Sequence, residues 1–125
     1  MKNIISTDKA PSAIGPYSQA VEHNGIIYCS GQIPLDPDSM ELVGENAAEQ
    51  AKQVMKNLAA VLEEAGSDFS KVLKCTIFLD SMDDFGAVNE VYGGYFPNDP
   101  PARATVAVQT LPKNVMVEIS CIAYK

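Results

Sequence analysis

The run VMVEISCIAY, from Val115 to Tyr124, constrains this chain more than any other stretch. In a strand, side chains alternate between faces, so Val115, Val117, Ile119, Cys121 and Ala123 form one side. Met116, Glu118, Ser120, Ile122 and Tyr124 form the other. The first set is a core face to be covered by helices. The second mixes apolar side chains with a single carboxylate, so it also needs cover, of a different kind.

Helices for the first face are legible. Ala47, Ala51, Val54, Met55, Leu58, Val61, Leu62 and Ala65 recur three or four apart between about Asn46 and Ala65, and Gly66 supplies a stop. A second helix is expected from Ser81–Asp84 to about Tyr95, with Met82, Phe85, Val88, Tyr92 and Phe96 on one side and Asn89 next to them. The prolines at 97, 100 and 101 end it. Asn24-Gly25 between two β-like runs predicts a type I′ hairpin. KVLKCTIFL predicts a strand, as do residues of about 102–109. The fold class is therefore α+β: a mixed sheet with two helices packed on one face.

By alternation, Ala104, Val106 and Val108 are expected to face the helices, and Arg103 and Thr105 to project with the Glu118 set, joined by Tyr28, Ser30 and Phe78. No helix remains to cover that second face. A closed ring of identical subunits is the economical cover, with Arg103 and Glu118 at or near a seam.

At 125 residues and 46% hydrophobic, the chain suits one domain spanning 1–125. It has no long apolar span and no h-region near its start, which makes a cytoplasmic location the expectation. The net charge of −7 opposes binding to nucleic acid and to anionic membranes. Cys29, Cys75 and Cys121 are an odd number, far apart and within apolar runs, and read as buried free thiols. His23, the only histidine, falls beside the hairpin tip, which leaves Cys/His, Ser/His and histidine-metal chemistry without a second member. The aspartates of PLDPDSMELVG lack EF-hand spacing and read as a solvated turn. No metal site is expected.

The chain holds eight lysines and one arginine, Arg103. An arginine can grip a carboxylate with two hydrogen bonds, which lysine cannot reproduce. Two readings stand: Arg103 anchors a small anionic ligand, or it forms an internal ion pair with Glu118 or an aspartate. Glu118 is either neutralised by an arginine or carries a raised pKa and handles protons or water. Gly31 after Ser30 permits close approach of a ligand to the backbone, and Tyr17 after Gly15-Pro16 either packs inside or offers its hydroxyl.

Six segments in order, APSAIGPYSQA, SGQIPLDP, NLAAVLEEAG, DFGAVNEVYGGYFP, PPARATVAV and LPKNVMVEISCIA, make the chain resemble the RidA/YjgF family of reactive-intermediate deaminases along essentially its whole length. The resemblance implies a chorismate-mutase-like fold and a homotrimer with ligand clefts between subunits and sheet faces turned inward. It also implies cofactor-free hydrolysis of enamines and imines, such as 2-aminoacrylate released by pyridoxal-phosphate enzymes, to 2-keto acids and ammonia. Carried over by motif, Arg103 would hold the substrate carboxylate and Ser30 and Gly31 would line the same pocket. Tyr17 would come from an adjoining subunit, Asn89 would stand at the pocket wall, Thr105 would occupy a pocket position, and Glu118 would orient the attacking water. Ala104-Thr105 replaces the Ser-Cys of some relatives, and Ser39-Met40 stands where relatives often carry a glycine turn. Ribonuclease or translation inhibition, attributed to some relatives, is opposed by the acidic charge. A non-catalytic metabolite-binding or holdase trimer is the remaining alternative.

Overall fold

In the computed structural model, which describes Met1 to Lys125, Asn24 and Gly25 both take left-handed backbone angles, φ 53° and 82°. That corner joins strands β2 (Ala20–His23) and β3 (Ile26–Gln32) as an antiparallel hairpin. A short strand that the sequence reading missed, β1 (Asn3–Ile5), pairs with β2. Three residues are too few for alternation to register.

Helix α1 (Ala47–Glu64) begins where Asn46 Oδ1 accepts the Glu49 N–H at 2.9 Å. It ends in a Schellman motif, with Gly66 at φ 83° donating to Glu63 O and Ser67 N–H donating to Leu62 O at 2.8 Å. Val54, Met55, Leu58, Val61 and Leu62 are fully buried along its inner stripe, and burying each is worth about 1.5–3 kcal/mol over exposing it. Polar residues share that inner side. Gln50 Oε1 accepts the Met116 N–H at 2.8 Å, and Asn57 Nδ2 donates to Leu35 O at 3.0 Å, so the helix pins the loop after β3.

Strand β4 (Val72–Leu79) leads through a 3₁₀ turn capped by Ser81 Oγ into helix α2 (Phe85–Gly93), which carries the chain to β5 (Ala102–Ala107), parallel to β4. α2 stops at Gly93, short of the expected Tyr95, because Gly93-Gly94 offers poor helix propensity. Tyr95 and Phe96 continue in 3₁₀-type bonds. Strand β6 (Val117–Tyr124) is antiparallel to both β3 and β4, giving the six-stranded order β1-β2-β3-β6-β4-β5. Its residues alternate buried and half-buried as expected, with Val117, Ile119, Cys121 and Ala123 in the core. Cys29, Cys121 and Cys75 lie side by side across β3, β6 and β4, all buried and all free thiols.

The expected phase of β5 is corrected. Arg103 pairs with Cys75 and Thr105 with Ile77, both core residues of β4, so Arg103 and Thr105 face the helices. Ala104 and Val106 pair with Thr76 and Phe78 and lie on the Glu118 side, both exposed. Alternation gives the opposite phase only if the helices bury the apolar residues of every strand. β5 is an edge strand, and the nine-residue α2 does not roof it as a core strand is roofed. Apolar side chains instead collect on the helix-free face, where Tyr28 and Val106 are 48% and 46% exposed.

Candidate functional site

Gly31 explains the position of Glu118. A Cβ on Gly31 would sit 2.5 Å from Glu118 Oε2 and 2.9 Å from its Cδ, so the carboxyl rests where any other residue would put a side chain. Glu118 is half-buried with no cation against it, and desolvation holds its pKa above the ordinary 4.5. No arginine neutralises Glu118, so of its two readings the geometry favours the one in which burial pushes the carboxyl's pKa up.

Ser30 lies at the β-bulge between Cys29 and Gln32. Its Oγ donates to Ser18 O at 2.6 Å and its N–H to Gln19 O at 2.9 Å, which fastens the Tyr17 loop to β3. Buried Gln19 extends this: its Oε1 accepts the Thr7 N–H at 2.7 Å and its Nε2 donates to Pro11 O at 2.8 Å. Tyr17 is 52% exposed, and its hydroxyl accepts the Ile14 N–H at 3.3 Å. Tyr17, Ser30, Gly31 and Glu118 therefore border one cavity of about 560 Å³, whose other walls include Ile14, Ile33, Leu35, Pro112 and Lys113.

Arg103 is elsewhere. Its guanidinium carbon lies 5.2 Å from the Tyr92 ring centroid and 5.6 Å from that of Phe85, both on α2. Its Nη1 donates to Asn89 Oδ1 at 2.6 Å. The one ion pair of the chain joins Lys125 Nζ to Glu22 Oε1 at 3.6 Å, so Arg103 is paired with no carboxylate. The internal ion pair that the sequence left open is not formed, and the opposed faces of Arg103 and Glu118 are the reason.

Phe85, Asn89 and Tyr92 are spaced four and three apart and so share one face of α2. Sequence reading took the two aromatics as core and missed them as walls of an arginine slot, although that spacing was visible. Tyr92 is buried, desolvation raises its pKa, and its hydroxyl makes no good hydrogen bond; the Cys75 thiol beside it is a weak partner. Thr105 Oγ1 is also buried without a partner. Tyr92, Pro100, Pro101 and Arg103 border a shallower hollow of about 380 Å³.

The residues singled out from sequence thus fall into two groups. Tyr17, Ser30, Gly31 and Glu118 line the cleft, and Arg103, Asn89 and Thr105 lie on the helix side of the sheet edge. Within the chain, the hydrogen bonds of Ser30 tie it to the Tyr17 loop rather than to Arg103. The aspartates of the loop after β3 are engaged locally, with Asp36 Oδ1 accepting the Asp38 and Ser39 N–H groups. No helix is long and apolar enough to cross a membrane.

Comparison with known proteins agrees with the sequence resemblance. The family model described as endoribonuclease L-PSP matches residues 7–125. Protein DfrA of Myxococcus xanthus is 55% identical over 98% of this chain and 95% of its own length. The mouse 2-iminobutanoate/2-iminopropanoate deaminase is 52% identical over 98% and 91%. The crystal structure of E. coli TdcF with bound serine superposes with a TM-score of 0.94 at 37% identity, covering 98% of both chains. With a matching family model and relatives of this identity spanning nearly the whole sequence, the chain belongs to the endoribonuclease L-PSP family, the family also called RidA/YjgF.

Proposed function

We propose that the protein hydrolyses small 2-imino acids, and the 2-amino-enoic acids that tautomerise to them, to 2-keto acids and ammonia. The observation that carries this reading is an arginine held in an aromatic slot with no carboxylate of its own chain. A desolvated half-buried carboxyl stands across the sheet from it.

One molecule cannot touch both groups within a single chain. We therefore assign the working site to a homotrimer, in which Arg103 of one copy meets the Tyr17, Ser30, Gly31 and Glu118 cleft of the next. The exposed apolar residues on the helix-free face support such an assembly.

In the proposed reaction the guanidinium fork binds the substrate carboxylate, leaving the iminium carbon beside Glu118. The Glu118 carboxylate takes a proton from a water molecule as its oxygen bonds to that carbon, and the C=N electron pair returns to nitrogen. Glu118 then gives the proton to the amine, the C–N bond breaks, and the hydroxyl proton leaves with nitrogen as ammonium while a C=O bond forms. A raised pKa makes Glu118 the better base for the first step. Water and one carboxyl suffice, so no cofactor enters the scheme. The name of the mouse relative supports the substrate class, and the bound serine of TdcF supports recognition of a small amino-acid-like carboxylate in this family.

The test is a coupled assay in which a dehydratase generates 2-aminoacrylate and pyruvate appearance is followed with and without this protein. Faster pyruvate formation is expected. An unchanged rate at micromolar protein overturns the reading in favour of a non-catalytic binding trimer.

A further inference from the structure

Between Leu111 and Val115, both buried, the chain makes a tight turn closed by Asn114 N–H to Leu111 O at 3.0 Å and Val115 N–H to Pro112 O at 3.3 Å. Lys113 and Asn114 inside it take φ 55° and 56°. Asparagine tolerates the left-handed region, whereas lysine is strained there and glycine would adopt it freely. The strained residue borders the cleft and is the one cation among its lining residues, which also include Glu118. Its ammonium forms neither an ion pair nor a hydrogen bond within the chain. A side chain kept at a conformational cost, unpaired, at the edge of a cavity has its use outside the fold.

We propose that Lys113 is a second, specificity-determining cation of the cleft, drawing the substrate carboxylate to the Glu118 wall before Arg103 of the neighbouring copy grips it. The inference rests on the 2-imino acid reading of the site and adds a residue to it. The need is electrostatic: the chain carries −7, and the cleft holds a carboxyl of its own, so an anionic substrate approaches against repulsion. Because Lys113 is exposed, it acts through attraction that salt screens. Its effect therefore falls on KM more than on kcat.

Three variants separate charge from backbone. Lys113→Gln keeps a polar side chain and the strain but removes charge; Lys113→Arg keeps charge; Lys113→Gly removes both charge and strain. At low salt, Lys113→Gln and Lys113→Gly are expected to raise KM about threefold to tenfold, with kcat within about twofold of the parent. The difference should close at about 0.5 M salt. Lys113→Arg should restore KM. Lys113→Gly should melt a few degrees higher than the parent while binding worse, which a merely structural lysine would not do. A KM for Lys113→Gln within about twofold of the parent at low salt overturns the proposal. If the parent shows no turnover, calorimetric binding of 2-oxobutanoate reads the same contrast: weaker binding to Lys113→Gln supports Lys113, and equal binding overturns it, whatever becomes of the deaminase reading.

Discussion

The arginine slot and the Glu118 cleft solve the same physical problem in opposite ways. Each keeps a charged group without a countercharge, yet the slot does so with aromatic faces and one amide oxygen, and the cleft with a missing Cβ and partial burial. A guanidinium over π-faces keeps free N–H groups for a ligand. A carboxyl shielded from water becomes more basic. On the proposed reading the slot binds and the cleft moves a proton, and neither group is neutralised by the other because β5 turns Arg103 to the far side of the sheet.

Removing the guanidinium should give the largest effect. Arg103→Ala forfeits two charge-assisted hydrogen bonds of about 1.5–3 kcal/mol each, so kcat/KM should fall by roughly a thousandfold. Arg103→Lys, which keeps the charge and loses the fork, should cost about tenfold or more. Melting temperature should hardly move in either, because no carboxylate is orphaned. A large loss of stability with normal turnover in Arg103→Ala would break the contrast between slot and cleft.

Next in size is Glu118. Glu118→Gln should lower kcat by about a hundredfold, the lower part of the range for a general acid–base group. Its pH signature has two opposite signs. A carboxyl whose folded pKa lies above its ordinary 4.5 favours the folded state fully below that value, and this contribution is lost as pH rises through the folded pKa. In the proposed reaction Glu118 acts in its ionised form, so kcat/KM should rise over the same window. Glu118→Gln should flatten both curves and leave the protein more stable at neutral pH. An acid limb of activity that persists unchanged in Glu118→Gln would assign that limb to another group.

How much of this was legible in the sequence follows from which residues have periodic neighbours. α1, β6 and the Asn24-Gly25 corner were readable because a buried stripe, strict alternation and positive φ each leave a pattern over several residues. β5 was not, because its phase depends on how far α2 reaches over the sheet edge, and apolarity points the wrong way when the uncovered face is the apolar one. Arg103, Glu118, Tyr17, Ser30 and Gly31 were all singled out, but their division between two faces required register. Gln19, Phe85, Tyr92 and Lys113 went unnoticed in their present settings because their contacts span distant segments or turn on a backbone angle.

The aromatic slot gives a smaller, two-part effect. Tyr92→Phe keeps the ring over Arg103 and removes a buried hydroxyl with no good partner, so activity should hold and stability should stay level or rise by up to about 1 kcal/mol. Tyr92→Leu loses the ring and should raise KM about tenfold; kcat of the properly folded fraction should change less. Loss of activity in Tyr92→Phe would mean that the hydroxyl contacts substrate, and the slot would then take part in more than holding the arginine.

The smallest effect contrasts strain inside the site with strain outside it. Met40, in the loop after β3, has φ 60°, at the place where the family resemblance leads one to expect a glycine turn. A left-handed L-residue costs about 1–2 kcal/mol, and Met40→Gly relieves this while adding about 0.4–1 kcal/mol of unfolded-state freedom and giving up a half-buried side chain. A net gain of about 0.5 kcal/mol, or roughly two degrees in melting temperature, is expected from calorimetry. Unlike Lys113, Met40 borders neither the cleft nor the arginine hollow, so KM should not change. If Met40→Gly raised KM as Lys113→Gly is expected to, relief of backbone strain alone would account for both results, and strain would no longer mark the lysine as functional.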